Sequence, residues 1–194
     1  EAFQEVDYRQ TFRELAKWVG EIDDPARIPE TISHAVSVAL SGRPGPVVLA
    51  LPEDMLRAEA DAAPGPRIVP AEPAPPAADA ARAAAMLAAA ERPVAVVGGS
   101  RWTPETVAAL ARVAEAWDLP VACSFRRQRL MDAHHPCYAG DCGLGINPAL
   151  KARIAESDLL LLIGARFSEN PSQDFTLLGV PDPGKALIHV HPGP

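Results

Sequence analysis

Five apolar residues, Val47 to Leu51, stand between Pro46 and Pro52. A run so short, closed at both ends by residues that cannot extend a ladder, suits a parallel strand covered on both faces. What precedes it fixes its neighbour. Gly42 takes the place where a helix needs a left-handed residue at its C-terminus. Pro44 and Pro46 then forbid further helical turns. Ser41-Gly42-Arg43-Pro44-Gly45-Pro46-Val47 therefore reads as a helix end, a rigid turn and the start of a strand. Pro52-Glu53-Asp54 reads as its stop. The two carboxylates there point to opposite sides of an extended chain, which suits a solvated strand exit better than an acid–base pair.

Taken in order, residues 1–56 predict an α–α–β tail. Phe12, Leu15, Ala16 and Val19 fall at helical spacing, so a helix is expected over Thr11–Val19. Asp23-Asp24-Pro25 is a turn. A second helix starts near Pro29 and Glu30, both favourable in a first turn, with Ile32, Val36, Ala39 and Leu40 as its apolar stripe. One strand makes no stable sheet, so the partners of Val47–Leu51 are expected elsewhere in a longer chain or in another chain. Glu1 is not an initiator Met, which fits a piece cut from something longer. Residues 57–76 hold six prolines in twenty positions and read as an extended, semi-rigid linker.

Residues 77–194 alternate helix and strand. Asp79–Glu91 is Ala-rich and helical by propensity. Pro93–Val97 is a buried strand that runs into Gly98-Gly99. Thr103 with Pro104 opens a helix whose apolar face is Val107, Leu110, Ala111, Ala114 and Trp117. Pro120–Cys123 is a second strand, making a βαβ unit. A long loop is expected over Ser124–Pro148, then a short helix over Ala149–Glu156. Strands at Asp158–Gly164 and Ala186–Val190 complete the pattern. The fold class that follows is α/β: a doubly wound, mostly parallel (Rossmann-like) sheet flanked by helices.

Composition narrows function. With 48% hydrophobic residues the chain has enough apolar surface for a core, and a net charge of −7 argues against a general nucleic-acid or anionic-membrane surface. No apolar run reaches membrane-spanning length, and Glu1-Ala2-Phe3-Gln4-Glu5 lacks the form of a signal peptide. Three cysteines, an odd count, favour free thiols in a reducing compartment, here the cytoplasm. His134, His135, Cys137 and Cys142 crowd into nine residues, but their spacing matches no standard zinc pattern, so no metal site is expected.

In such a sheet ligands bind beyond the carboxyl ends of the strands. Three ends carry suitable residues: Gly98-Gly99-Ser100-Arg101, Gly164-Ala165-Arg166-Phe167-Ser168-Glu169 and His189-Val190-His191. Glycines there admit a pyrophosphate and arginines pair with it. There is no G-x-G-x-x-G, no P-loop and no nucleophile elbow. Ser124-Phe125-Arg126-Arg127-Gln128-Arg129 is basic and suits a phosphate or an acidic neighbour rather than nucleic acid.

The strings Ala2-Phe3-Gln4-Glu5, Lys17, Ile28-Pro29, Ser41-Gly42-Arg43-Pro44-Gly45-Pro46-Val47 and Pro52-Glu53-Asp54 together resemble the end of the pyrimidine-binding domain of thiamine-diphosphate enzymes, the acetolactate synthase group in particular. Residues 77–194 resemble the central domain of the same family, through Arg92-Pro93-Val94, Gly98-Gly99, Leu119-Pro120-Val121, Tyr138-Ala139-Gly140, Asp158–Gly164, Ala165-Arg166-Phe167 and Ile188-His189. The resemblance implies a parent that decarboxylates a 2-oxo acid such as pyruvate and transfers the two-carbon unit to a second carbonyl. It implies thiamine diphosphate and Mg²⁺, held by a glutamate and by a Gly-Asp-Gly…Asn motif outside these 194 residues, so that this piece alone is inactive. It places Phe3, Gln4 and Lys17 near the substrate cleft. It suggests Gly98, Gly99, Ser100, Arg166 and Phe167 for FAD or ADP, since relatives bind one, the other or neither. His189-Val190-His191 stands where FAD binders end a strand in an acid. A homo-oligomer, dimer or tetramer, is implied as well.

Overall fold

The computed structural model describes Phe3 and residues 5–193. The chain forms two compact units that divide between Pro73 and Ala74.

The first unit contains α1 (Tyr8–Phe12), β1 (Trp18–Glu21), a 3-10 turn (Pro25–Arg27), α2 (Ile28–Leu40), β2 (Val47–Ala50) and α3 (Glu53–Arg57). The helix expected over Thr11–Val19 does not form. Asp7 starts α1 earlier, its side chain accepting from the Gln10 N–H at 2.9 Å, and the helix is over by Phe12. Trp18 to Glu21 instead pairs in parallel with Val47 to Ala50. The Lys17 N–H donates to the Pro46 carbonyl at 2.8 Å at one end, and the Ile22 N–H to the Ala50 carbonyl at 3.1 Å at the other. Trp18 and Val19 favour strands, and a partner far along the chain overrides the helical spacing. Val47–Leu51 is thus not alone, although its sheet has only two strands.

α2 packs on both strands and buries Ala35. It ends as its sequence requires: Ser41 is extended and Gly42 has φ 50°. Its stripe is another matter, because Ile32, Val36 and Leu40 remain 36–42% exposed, so that face is only partly covered. Pro52-Glu53-Asp54 starts the single-turn α3, where Glu53 pairs with Arg57. Residues 58–76 form no regular element.

The second unit contains α4 (Ala77–Ala89), β3 (Pro93–Val97), α5 (Pro104–Ala116), β4 (Val121–Ser124), β5 (Tyr138–Cys142), α6 (Pro148–Glu156), β6 (Leu159–Ile163) and β7 (Ala186–Val190). The sheet runs β5-β4-β3-β6-β7, parallel throughout. The surprise is β5, which lies inside the stretch expected to be a loop. Gly140 and Asp141 are poor strand formers, which hid it. The ladder also skips Ala139, pairing Val121 with Tyr138 and Ala122 with Gly140, whose φ of 120° only glycine adopts readily.

Alternation along the strands splits the core in two. Ala95, Val97, Val121, Cys123, Leu159 and Leu161 face one side, with Leu110 and Ala114 of α5 and with Met86 and Leu87 of α4. Val94, Val96, Ala122, Cys142, Leu160 and Leu162 face the other, with Leu150 and Ile154 of α6. Thr103 caps α5 reciprocally with Thr106, and Asn147 caps α6 by accepting from the Ala149 N–H at 2.8 Å.

At the amino end of the central seam Asp158 binds two backbone donors, Glu91 N–H at 2.6 Å and Arg92 N–H at 2.9 Å. The Glu91 amide is the main cause of a carboxyl pKa below its ordinary value. A carboxylate with a depressed folded pKa adds stability above its unfolded pKa and loses it as pH falls through the folded one. Below about pH 4, the wild-type unfolding midpoint in urea therefore falls with pH. In Asp158→Asn that acid limb is shallower, and equal slopes for the two proteins would contradict this role.

Candidate functional site

The strand order reverses at β3, with β4 on one side and β6 on the other, and this is where parallel sheets open a crevice. Two glycine turns meet there. The Gly98 N–H donates to the Ile163 carbonyl at 2.9 Å, and the Gly164 N–H to the Val190 carbonyl at 2.7 Å. Gly99 and Gly164 both have positive φ, 75° and 70°. A Cβ on Gly99 would strike the Gly164 carbonyl, and one on Gly164 would sit 2.5 Å from the Gly98 carbonyl oxygen. Gly98 itself is wedged: a Cβ there would lie 2.8 Å from Ser124 and 3.0 Å from Ala165. These glycines bring the ends of β3, β4 and β6 together. The Trp102 indole locks the first turn by donating to the Gly98 carbonyl at 2.7 Å. Nothing in the local sequence marks Trp102 or Ser124 for this task, because both act through contacts that no motif encodes.

Around this seam the charge is of one sign. Within four residues after β3, β4 and β6 come Arg101, Arg126, Arg127 and Arg166, and no carboxylate. Arg126 has φ 60° and lays its guanidinium 5.0 Å from the centre of the Phe125 ring. Arg166 is exposed, as is Ser100. Phe167 differs from what its motif suggests. Only 8% exposed, with φ 49°, it is packed among Val94, Val96, Leu160 and Leu177 and has no free face for a ligand. Its place in the core turns the chain so that Arg166 stays outside. Beyond it, Gln173, Asp174 and Phe175 all have positive φ, and Gln173 Nε2 donates to the Gly143 carbonyl at 2.9 Å, tying this turn to the end of β5.

The first-unit residues singled out from sequence are Phe3, Gln4 and Lys17. Gln4 lies outside the described residues, and Phe3 is 92% exposed. Lys17 is engaged: its Nζ donates to the carbonyls of Val38 at 2.6 Å, Ser41 at 2.7 Å and Arg43 at 3.1 Å. An ammonium has three donors, so Lys17 closes the C-terminus of α2 rather than reaching into a cleft.

The histidines and cysteines do not converge. His134 pairs with Asp132, His135 with Glu115, and Cys142 is buried in the second core. Among the described residues no three His, Cys, Asp or Glu side chains gather to hold a metal. Burial pushes the Cys123 thiol to about 11 and the Cys142 thiol to about 12. A groove of about 450 Å³ lined by Asp118, Cys137, Tyr138, Asn147 and Arg153 lies where β4 and β5 begin, at the opposite end of the strands from Arg126 and Arg127.

A five-stranded parallel, doubly wound sheet flanked by helices defines a Rossmann-like α/β domain. Its family is specific: residues 80–194 match the thiamine pyrophosphate enzyme, central domain, and the chain belongs to that family. The acetolactate synthase isozyme 2 large subunit of Escherichia coli (strain K12) is 31% identical over 190 residues, covering 98% of this chain and 34% of that protein. The sulfoacetaldehyde acetyltransferase of Rhodobacter capsulatus is 30% identical over 166 residues, covering 86% of this chain and 28% of that protein. Among solved structures, the thiamine diphosphate-dependent 4-hydroxybenzoylformate decarboxylase of Rhodococcus jostii RHA1 superposes with a TM-score of 0.70 at 25% identity, covering 96% of this chain and 36% of that one. The chain thus spans about a third of the length of these relatives. No helix among the described residues is long and apolar enough to cross a membrane.

Two outcomes test this geometry. Gly164→Ala forces a Cβ against the Gly98 carbonyl at a positive φ and destabilises the second unit by more than about 2 kcal/mol, read by urea unfolding; a neutral effect would mean the turns are not in contact. A thiol reagent at neutral pH labels the half-exposed Cys137 first, and Cys123 and Cys142 only when urea unfolds the chain, as mass spectrometry of the labelled peptides would show.

Proposed function

We propose that this chain is part of a thiamine-diphosphate-dependent enzyme of the acetolactate synthase type, one that decarboxylates a 2-oxo acid such as pyruvate and passes the two-carbon unit to a second carbonyl. The observation that carries the reading is similarity to an acetolactate synthase large subunit over 98% of the chain. On this reading residues 1–56 close a pyrimidine-binding domain, 57–76 are the linker, and 77–194 are the central domain. Thiamine diphosphate, when bound with Mg²⁺, supplies the electron sink for the carbanion left by decarboxylation. The described residues do not fit its metal, since no cluster of three or more metal-binding side chains exists among them. This chain's part is to frame the reaction, not to perform it, and alone it is inactive.

The residues at the β3 and β6 ends do fit a nucleotide. Gly98 and Gly99 bring the turns close, and exposed Ser100 and Arg166 offer a hydroxyl and a guanidinium to the phosphates of FAD or ADP. Phe167 serves that site by anchoring the loop in the core. The partly exposed face of α2, with Ile32, Val36 and Leu40, supports assembly into a larger body, a homo-oligomer of the parent.

The test compares the parent protein with this 194-residue chain, each supplied with thiamine diphosphate, Mg²⁺ and pyruvate. The parent releases CO₂ and forms a carboligation product, and the isolated chain does neither. CO₂ release by the chain alone would overturn the division of labour. A parent that leaves pyruvate and other 2-oxo acids untouched would overturn the assignment.

A further inference from the structure

We infer that the groove at the amino ends of β4 and β5 binds a free α-amino acid with an apolar side chain, a zwitterion held at one end by Asp118 and at the other by Arg153. The groove exists because α6 is short of atoms there. Ala149, Ala152, Arg153 and Glu156 fall on one helical face, and the two alanines leave room beside Pro120. The volume of about 450 Å³ lies within the range of small-molecule sites. Pro120, Pro136, Ala139 and Leu150 give it an apolar lining. A second groove, of about 570 Å³, adjoins it and shares Asp118, Pro120, Ala149 and Arg153.

Asp118 is the most telling residue. It follows the C-terminus of α5 with φ 44°, a left-handed position that glycine fills at least cost. Its carboxylate also stands at the negative end of the helix, where a cation is favoured and an anion is not. No described cation forms an ion pair with it. A charge set against the local field without a pairing partner points to function. That field reaches the groove: burial first, then the carboxylates of Asp118 and Glu115, raise the Cys137 thiol pKa above its ordinary value. Glu115 is engaged by His135 Nε2 at 3.1 Å, which leaves Asp118 for a ligand ammonium. Arg153 brings the opposite charge from α6, exposed and likewise without an ion-pair partner among the described residues. Asp118 and Arg153 thus line one groove without pairing with each other. A ligand of one sign leaves one of them unpaired, and a neutral ligand leaves both. The ammonium and carboxylate of an α-amino acid satisfy the two together, and the prolines and Leu150 take its side chain.

Calorimetric titration of the full-length protein with phenylalanine, leucine and glycine tests this. Phenylalanine or leucine binds about fivefold more tightly than glycine, or better. The N-acetyl and amide derivatives of the better ligand lack one charge each, and each binds about tenfold more weakly than the free amino acid. Asp118→Asn keeps a residue that accepts the left-handed turn, and Arg153→Gln keeps a good helix former on an exposed face. Neither lowers the melting temperature of the ligand-free protein. Asp118→Asn abolishes the discrimination against the N-acetyl derivative, and Arg153→Gln that against the amide. The bound amino acid also slows iodoacetamide labelling of Cys137, which places it in this groove. No binding at millimolar concentration, affinity that survives both substitutions, or a labelling rate indifferent to the ligand would each overturn the assignment. So would derivatives that bind as tightly as the free amino acid. None of these outcomes bears on the nucleotide site proposed above, which lies at the other end of the strands.

Discussion

Everything in the second unit hangs on the seam between β3 and β6. Five residues of each pair in register, from Pro93 with Leu159 to Val97 with Ile163, and each end of the seam is closed by a different chemistry. At the amino end a single carboxylate, Asp158, gathers the two backbone donors that enter β3. At the carboxyl end backbone meets backbone through Gly98, Gly99 and Gly164, with the Trp102 indole holding the Gly98 carbonyl. The contrast fits the nucleotide site proposed above, because the glycine turns close that gap without a carboxylate.

That seam also explains why the chain alternates so plainly in sequence. Both faces of the sheet are covered, so the strands read as unbroken apolar runs, and Val94–Val97, Val121–Cys123 and Leu159–Ile163 announce themselves. The helix starts are equally plain, because Thr103-Pro104 and Asn147-Pro148 satisfy donors that any helix must leave unpaired. What stayed hidden were the edges. β5 has no second partner among the described residues, so its Gly140 and Asp141 are tolerated at the rim and disguise it as loop. β1 is hidden for the opposite reason. Its apolar residues happen to fall at helical spacing, and only pairing with a segment far along the chain, as in Trp18 with Val47, decides between the two structures. Strand propensity is largely a statement about neighbours, and neighbours distant in sequence leave no local mark.

The site was legible in part for the same reason. Glycines and arginines after strands are visible in a string of letters. Whether a glycine faces a ligand or another glycine is not, nor is the burial of Phe167 beside an exposed Arg166. Both depend on which strands become neighbours. Lys17 is the sharpest case. A lysine at that position is read from its motif as a cleft residue, while its ammonium spends all three donors on the end of α2.

Lys17 is not an isolated device. Lys185 does the same in the second unit, donating to the Ile154 carbonyl at 2.6 Å, the Ala155 carbonyl at 2.9 Å and the Ser157 hydroxyl at 3.2 Å, at the end of α6. The topology of the two cases is identical. Each lysine immediately precedes a strand, β1 or β7. Each reaches the C-terminus of the helix that leads into the partner strand, β2 or β6. In a parallel αβ arrangement the helix returns its carbonyls to the end of the sheet where the next strand begins, and that end of the helix carries negative partial charge with unpaired acceptors. A cation one residue before the neighbouring strand is within reach of those carbonyls by construction. It fixes the helix to the strand beside its own, so register and helix placement are set by one side chain. The cost is visible at Lys185, whose partial burial lowers its pKa from the ordinary lysine value. Two units of different size and sheet width thus use one solution to one geometric problem, and in both it holds an outer strand in place with the carboxyl ends of the strands left free.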